Sequence, residues 1–277
     1  MKTFAEQDNR LAGITWVPGA GGCSNVYALH GGRTLIDAGN MFGLVDELLD
    51  LGPLKQLERV ILTHGHVDHV GGVGEIFQSA TPDLLLHPGT LQCLRTLQPP
   101  FPQFIDALEA DGKLRLLSHG ETIEGNPELL AIHTPGHTAG DLCIFERGSG
   151  ALFCGDVLPP KGGRASDFRV EPDADRGGSL EDSLDSLRRL LRLPVKHLFP
   201  GHGEPLFQKG GDHIKFTLLS IHRSLNPDHP EKAWLAMASD LLAAGFEEEA
   251  RQCVRKSTGL PGDAEEVKRI LSDLRLR

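Results

Sequence analysis

The chain has 277 residues, 39% of them apolar and 24% charged, with a formal net charge of −10. This composition supports one large core, or a core with a smaller appendage, and excludes disordered, collagenous and fibrous classes. The acidic balance disfavours non-specific nucleic-acid binding, which needs a basic face.

Residues 213–277 hold ten Lys/Arg and ten Asp/Glu, so the negative excess lies in residues 1–212. The five cysteines (Cys23, Cys93, Cys143, Cys154 and Cys253) include no C-x-x-C pair. That argues against a disulfide framework or zinc knuckle and for small buried apolar side chains. The first residues, MKTFAEQDNRLAG, are polar and acidic, and no long apolar run follows anywhere. These features predict a cytoplasmic protein without membrane association.

In chain order, 14–17 and 25–29 read as strands around the turn-rich PGAGGCSN, and 34–37 as a third. A helix over 43–51 ends at Gly52–Pro53. Residues 59–62 form a buried strand that runs into Thr63–His64; 72–78 look helical and 83–86 return as a strand. No element is assigned between Leu86 and Leu129. Strands at 129–132, 142–145, 151–154 and 197–199 follow, and the first, third and fourth run into HTPGHTAGD, GDVLPP and PGHGEP. Gly/Pro-rich loops at strand ends are where α/β proteins place their chemistry. Apolar residues at 180, 184, 187, 190 and 191 give helical spacing over 180–193. Segments 213–224, 231–244, 246–257 and 263–275 read as helices of a small appendage.

The segment THGHVDH places His64, His66, Asp68 and His69 within six residues. Imidazole nitrogens and carboxylate oxygens suit a borderline-to-hard divalent cation. His64 and His66 are two apart and leave a strand together. Asp68 and His69 follow as the chain bends towards Gly71–Gly72, so one segment can feed two adjacent metal positions. A lone histidine would be weak grounds for this. His137 in TPGHTAG, Asp156 in FCGD and His202 in PGHGEP supply further ligands.

This ordered set, with NVYAL, TLIDAG, VILTHGHVDHVGG, FCGDVL and LFPGHGEP, resembles the metallo-β-lactamase superfamily over roughly residues 12–210. The resemblance implies an α/β fold: an αββα sandwich, here residues 1–212, followed by the helical appendage 213–277. It implies His64, His66 and His137 on a first metal, Asp68, His69 and His202 on a second, and Asp156 bridging. It implies two divalent ions, zinc foremost with manganese or iron as alternatives, that activate a bridging hydroxide, and a catalytic role for Asp68 in proton transfer. GGRASDF, GGSLEDSLDSLRRL and LPVKHLFPGHG resemble the glyoxalase-II-like branch, which implies hydrolysis of a thioester, lactone or ester of a small molecule. Glutathione-binding residues of that branch have no match here. The long loop 159–178 offers Arg164 and Phe168 as substrate contacts. The tail helices are expected over the metal edge, shaping access of substrate. His133 reads either as an orienting partner of a ligand or as strand-end packing.

Three rival readings remain. One is an iron-dependent persulfide dioxygenase using His64, His137 and Asp156. Another is a phosphodiesterase or ribonuclease, against which the acidic main domain counts. The third is a non-catalytic binding protein, against which the intact ligand set counts. A lactamase is disfavoured because no export signal is seen. An acyl-homoserine lactonase would be expected to carry an active-site tyrosine, and the sole tyrosine is Tyr27, in an early strand. A homodimer is left open.

Overall fold

The computed structural model describes the chain except for residues 40–42, 51, 53, 160–169, 262–263 and 276–277. Seven strands form one sheet in sequence order: β1 (Lys2–Thr3), β2 (Ile14–Val17), β3 (Val26–Leu29), β4 (Thr34–Ile36), β5 (Arg59–Ile61), β6 (Asp83–Leu86) and β7 (Leu114–Leu116). Pairing is antiparallel from β1 to β4 and parallel from β4 to β7. The second sheet has β8 (Thr122–Ile123), β9 (Asn126–His133), β10 (Leu142–Glu146), β11 (Ala151–Gly155) and β12 (His197–Pro200), in the order β12-β11-β10-β9-β8. Its β11–β12 pair is parallel and its other pairs are antiparallel.

Successive side chains on a strand point to opposite faces, and here both faces are apolar. Trp16, Tyr27, Ile36, Ile61 and Leu85 lie side by side across β2–β6 and face inward. They meet Ala131, Ile144, Phe153 and Phe199, a matching row across β9–β12. The alternate residues Ala28, Leu35, Val60 and Leu84 face outward into a second core. That core is covered by α1 (Leu44–Leu49), α2 (Val67–Val70), α3 (Val73–Ser79), α4 (Pro88–Thr96) and α5 (Phe101–Ala110). Phe145, Leu152 and Leu198 face outward from the other sheet, beneath α6 (Leu180–Leu190). The result is the expected αββα order of layers.

Helix α6 is set by its sequence. Ser179 caps it by accepting from Asp182 N–H at 3.1 Å, acidic residues occupy its first turn, and Arg188 and Arg189 occupy its last. Helices α4 and α5 and strands β7 and β8 fill the stretch that the sequence pattern left unassigned. Prolines obscure the two helices, yet Pro88 and Pro102 sit in first turns, where no N–H is needed.

The tail forms α7 (Gly210–Leu225), α8 (Pro230–Ala243), α9 (Glu247–Thr258) and α10 (Glu265–Arg275). Ile214, Leu218, Met237, Leu241, Val254 and Leu271 belong to the same buried cluster as α6 and the outer face of β10–β12. Helix α7 starts against Val195 and Lys196, with Gly210 N–H on the Lys196 carbonyl at 2.9 Å. This is the end of β12 away from His202. The tail therefore thickens the outer helical layer, whereas the sequence reading places it over the metal edge. It reaches the loop after Asp156 where His213 Nε2 meets the Pro159 carbonyl at 2.8 Å. Among the described residues no helix is long and apolar enough to cross a membrane.

A partly buried polar cluster ties the tail to α6. Asp240 on α8, 8% exposed, meets Arg188 Nε at 2.8 Å and His222 Nε2 at 2.7 Å. Asp240→Ala strands His222 and is expected to cost about 2–3 kcal/mol of stability. Urea and thermal unfolding measure this; a loss below about 0.5 kcal/mol would mean the cluster does not hold the tail.

Candidate metal centre

The strand ends converge at one edge of the two sheets. β5 leads into Thr63–His64, β9 towards His137, β11 into Asp156 and β12 towards His202. The sheets are tied there by Leu142 N–H on the Thr63 carbonyl at 2.8 Å. All seven sequence-predicted ligands come together, in two groups: His64, His66, His137 and Asp156, and Asp68, His69 and His202.

In the first group His66 Nδ1 lies 3.0 Å from both His64 Nε2 and His137 Nε2. The outer partners fix which nitrogens carry protons. His66 Nε2 meets Asp173 Oδ2 at 2.9 Å, and His137 Nδ1 meets the Glu171 carbonyl at 2.8 Å. Both partners only accept, so both outer nitrogens donate. Thr63 gives its hydroxyl proton to Asp37, so His64 Nδ1 donates to Thr63 Oγ1 at 3.2 Å. A neutral imidazole has one N–H. Three lone pairs therefore face one another, which repels unless a cation sits between them. Ligands at 2.0–2.1 Å in tetrahedral geometry stand about 3.3 Å apart, close to the observed spacing.

The second group repeats the logic. His69 Nδ1 meets Asp37 Oδ2 at 2.8 Å, and His69 Nε2 is buried without a hydrogen-bond partner. Asp68 Oδ2 lies 3.0 Å from His202 Nε2 and 3.6 Å from His69 Nε2. Asp156 spans both groups. Its Oδ2 is 4.0 Å from His64 Nε2, 3.8 Å from His137 Nε2 and 3.6 Å from His202 Nε2, while its Oδ1 is 3.4 Å from His69 Nε2. The donor set thus fits divalent cations at two adjoining positions.

The electrostatics agree. Burial pushes His64 well below the ordinary imidazole range and keeps it neutral. Burial also opposes charge on His69, but the Asp37 and Asp156 carboxylates overrule it and raise it to about 10. Burial would raise Asp156, yet His69, His64 and His202 hold it well below the usual carboxylate range. An environment that draws a proton onto His69 is one that favours a cation there.

Close backbone approach makes two glycines necessary. A Cβ on Gly201 would sit 2.4 Å from Asp156 Oδ1 and 2.6 Å from His69 Cε1. A Cβ on Gly72 would meet the Ala38 carbonyl at 2.3 Å, so close packing, more than a special φ, selects glycine after THGHVDH.

The sequence reading missed the outer partners. Asp37, in TLIDAG, has a left-handed φ of 59° and accepts from Thr63 N–H at 2.8 Å besides His69. Asp173 and Glu171 hold His66 and His137. Asn25 and Tyr27 pin the PGHG loop: Asn25 Nδ2 reaches the Pro200 and Gly203 carbonyls at 2.9 and 2.8 Å, and Tyr27 Oη reaches Pro200 at 2.7 Å. Tyr27 is thus a buried structural residue. His133 touches no ligand ring; it stacks on His87 with centroids 3.8 Å apart and bonds the Ala139 carbonyl at 3.0 Å. All five cysteines are free thiols. Arg164 and Phe168 lie outside the described residues.

The chain belongs to the metallo-β-lactamase superfamily, whose family model matches residues 19–202. It is similar to a beta-lactamase-like protein 2 homolog of Drosophila melanogaster, 30% identical over 65% of this chain and 58% of that one. It is similar to hydroxyacylglutathione hydrolase of Vibrio campbellii, 31% identical over 50% of this chain and 44% of that enzyme. It is also similar to ribonuclease TTHA0252 of Thermus thermophilus, 29% identical over 54% of this chain and 37% of that one. Each match covers less than two thirds of the relative. Among solved structures, TTHA1623 in a di-iron-bound form aligns with a TM-score of 0.53 and 27% identity over 70% of this chain and 95% of its own.

The Asp37 bond gives a direct test of how His69 is held. Asp37→Ala should weaken metal binding at the Asp68–His69–His202 position by about 10–100-fold. Competition titration with a chromophoric chelator reads this. Unchanged affinity would show that Asp37 serves the fold alone.

Proposed function

We propose that the protein is a binuclear metallohydrolase that cleaves a thioester, lactone or ester of a small molecule. The observation that carries this reading is the pair of adjoining ligand groups with Asp156 reaching into both. Divalent cations bound there supply a hydroxide near neutral pH and polarise the electrophilic carbonyl. His64, His66 and His137 would hold one position, Asp68, His69 and His202 the other, and Asp156 both. Asp68 is about one third exposed, so its carboxylate stands where it can take up the attacking water's proton and pass it to the leaving group. The hydroxyacylglutathione hydrolase likeness supports the thioester class. The ribonuclease likeness is set against an acidic chain of net charge −10. Zinc suits the histidine-rich set, and the di-iron-bound neighbour makes iron the other metal to assay.

Protein stripped with a chelator and reconstituted with zinc, manganese or iron should bind close to two ions per chain and regain thioester hydrolysis. Asp156→Ala should lower turnover by roughly two orders of magnitude or more with the circular dichroism unchanged. Near-normal turnover with both metals retained would remove Asp156 from the bridge. Cleavage of phosphodiesters with no activity on thioesters, lactones or esters would overturn the ester reading, and oxygen consumption with a persulfide would point to the iron-dependent reaction instead.

A further inference from the structure

A groove of about 520 Å³ lies between α3 and α5. Gly71, Gly74 and Phe77 form one wall, Pro100, Phe101 and Phe104 the other, and its remaining lining residues are two glutamines. No ionisable side chain lines it among the described residues. Phe77 and Phe104 meet edge-on at 5.2 Å and are only partly buried. Aromatic surface left open in a pocket of this size is the usual make-up of a small-molecule site.

The position matters more than the size. Gly71 lines the groove and is also the C-cap of α2, the short helix that carries Asp68 and His69. At a rise of about 1.5 Å per residue, the backbone of Asp68 stands about 5 Å from that end of the groove. Gly74 lies within α3 although glycine is unfavourable in a helix. A Cβ there would meet nothing within 4 Å, so the missing side chain leaves the groove open.

The geometry points to this groove as the seat of the substrate's acyl chain. The substrates would then be esters or thioesters of medium-length aliphatic or arylalkyl acids, with the carbonyl at the metal centre and the chain between α3 and α5. This inference rests on the hydrolase reading. A neutral, aromatic-lined groove suits a hydrocarbon chain and offers nothing to a phosphate backbone.

The test is a series of thioesters of one leaving thiol, from acetyl to decanoyl, with the metal-reconstituted full chain. A fully buried methylene is worth about fourfold in binding, and one half-covered in an open groove about twofold. kcat/KM should therefore rise by roughly 50-fold from acetyl to octanoyl. Gly74→Trp projects into the groove and should lower the octanoyl-to-acetyl ratio of kcat/KM at least tenfold; Gly74→Leu should give an intermediate ratio and guards against a misfolded tryptophan variant. A flat series, or a ratio unmoved by either substitution, overturns the proposal. A change of oligomeric state on substitution, without a change in ratio, would assign the groove to a second copy of the chain and overturn it too. If no thioester or ester of any length is cleaved, the reaction reading fails. Octanoate binding to the metal-free protein, followed by calorimetry, then decides the groove. Saturable binding lost in Gly74→Trp supports it, and no binding refutes it.

Discussion

The nitrogen lone pairs of His64 and His137, each held 3.0 Å from that of His66, with His69 Nε2 buried and unpartnered nearby, are the constraint on which the rest of the structure turns. Left alone, such an arrangement is repulsive, and the rings would swing away. They stay because each outer nitrogen is anchored: to Thr63, Asp173, the Glu171 carbonyl and Asp37. The anchors sit on separate segments, so the whole αββα frame is needed to hold them. Anchored lone pairs with two carboxylates between them make a site pre-organised for cations, and the strain of assembling it is met by folding instead of by the metal.

The frame achieves this by bringing parallel strand ends to one edge. β4–β5 and β11–β12 are parallel pairs, so the loops leaving β5, β11 and β12 emerge on the same side. The register decides which residues face inward: a slip of one residue would exchange the inner row Ile36–Ile61–Leu85 with the outer row Leu35–Val60–Leu84 and displace the strand ends. The Asn25 and Tyr27 bonds to the PGHG loop carry this precision from the first sheet to His202 on the second.

The ligands were legible in the sequence because they are local: four lie within THGHVDH, and the others end apolar strands. Their anchors were not, because Asp37 meets His69 across 32 residues and Asp173 meets His66 across 107. An aspartate in a turn carries no mark of the ring it will meet. The sandwich followed from the resemblance. The tail's helices were legible as helices, but periodicity says only that one face is buried. It does not say against what, and the buried face of α7 went to α6 and the outer side of the second sheet. Helices α4 and α5 were obscured because prolines acceptable in a first turn read locally as loop.

The two ligand groups would hold a cation by different means. Around His64, His66 and His137 the nearby Asp173 is already paired with Arg176, so its charge is largely answered. What favours a metal there is the convergence of nitrogen lone pairs. Around His69 the carboxylates of Asp37, Asp68 and Asp156 crowd one imidazole, and what favours a metal is uncompensated negative charge. The first position therefore selects by ligand type and geometry, and the second by charge. Nitrogen-rich ligation discriminates among transition metals, whereas carboxylate-rich ligation accepts harder ions as well. Asp156, shared between them, is where the two modes of selection meet. A group bound across both positions would be polarised from one side and face an acidic rim on the other.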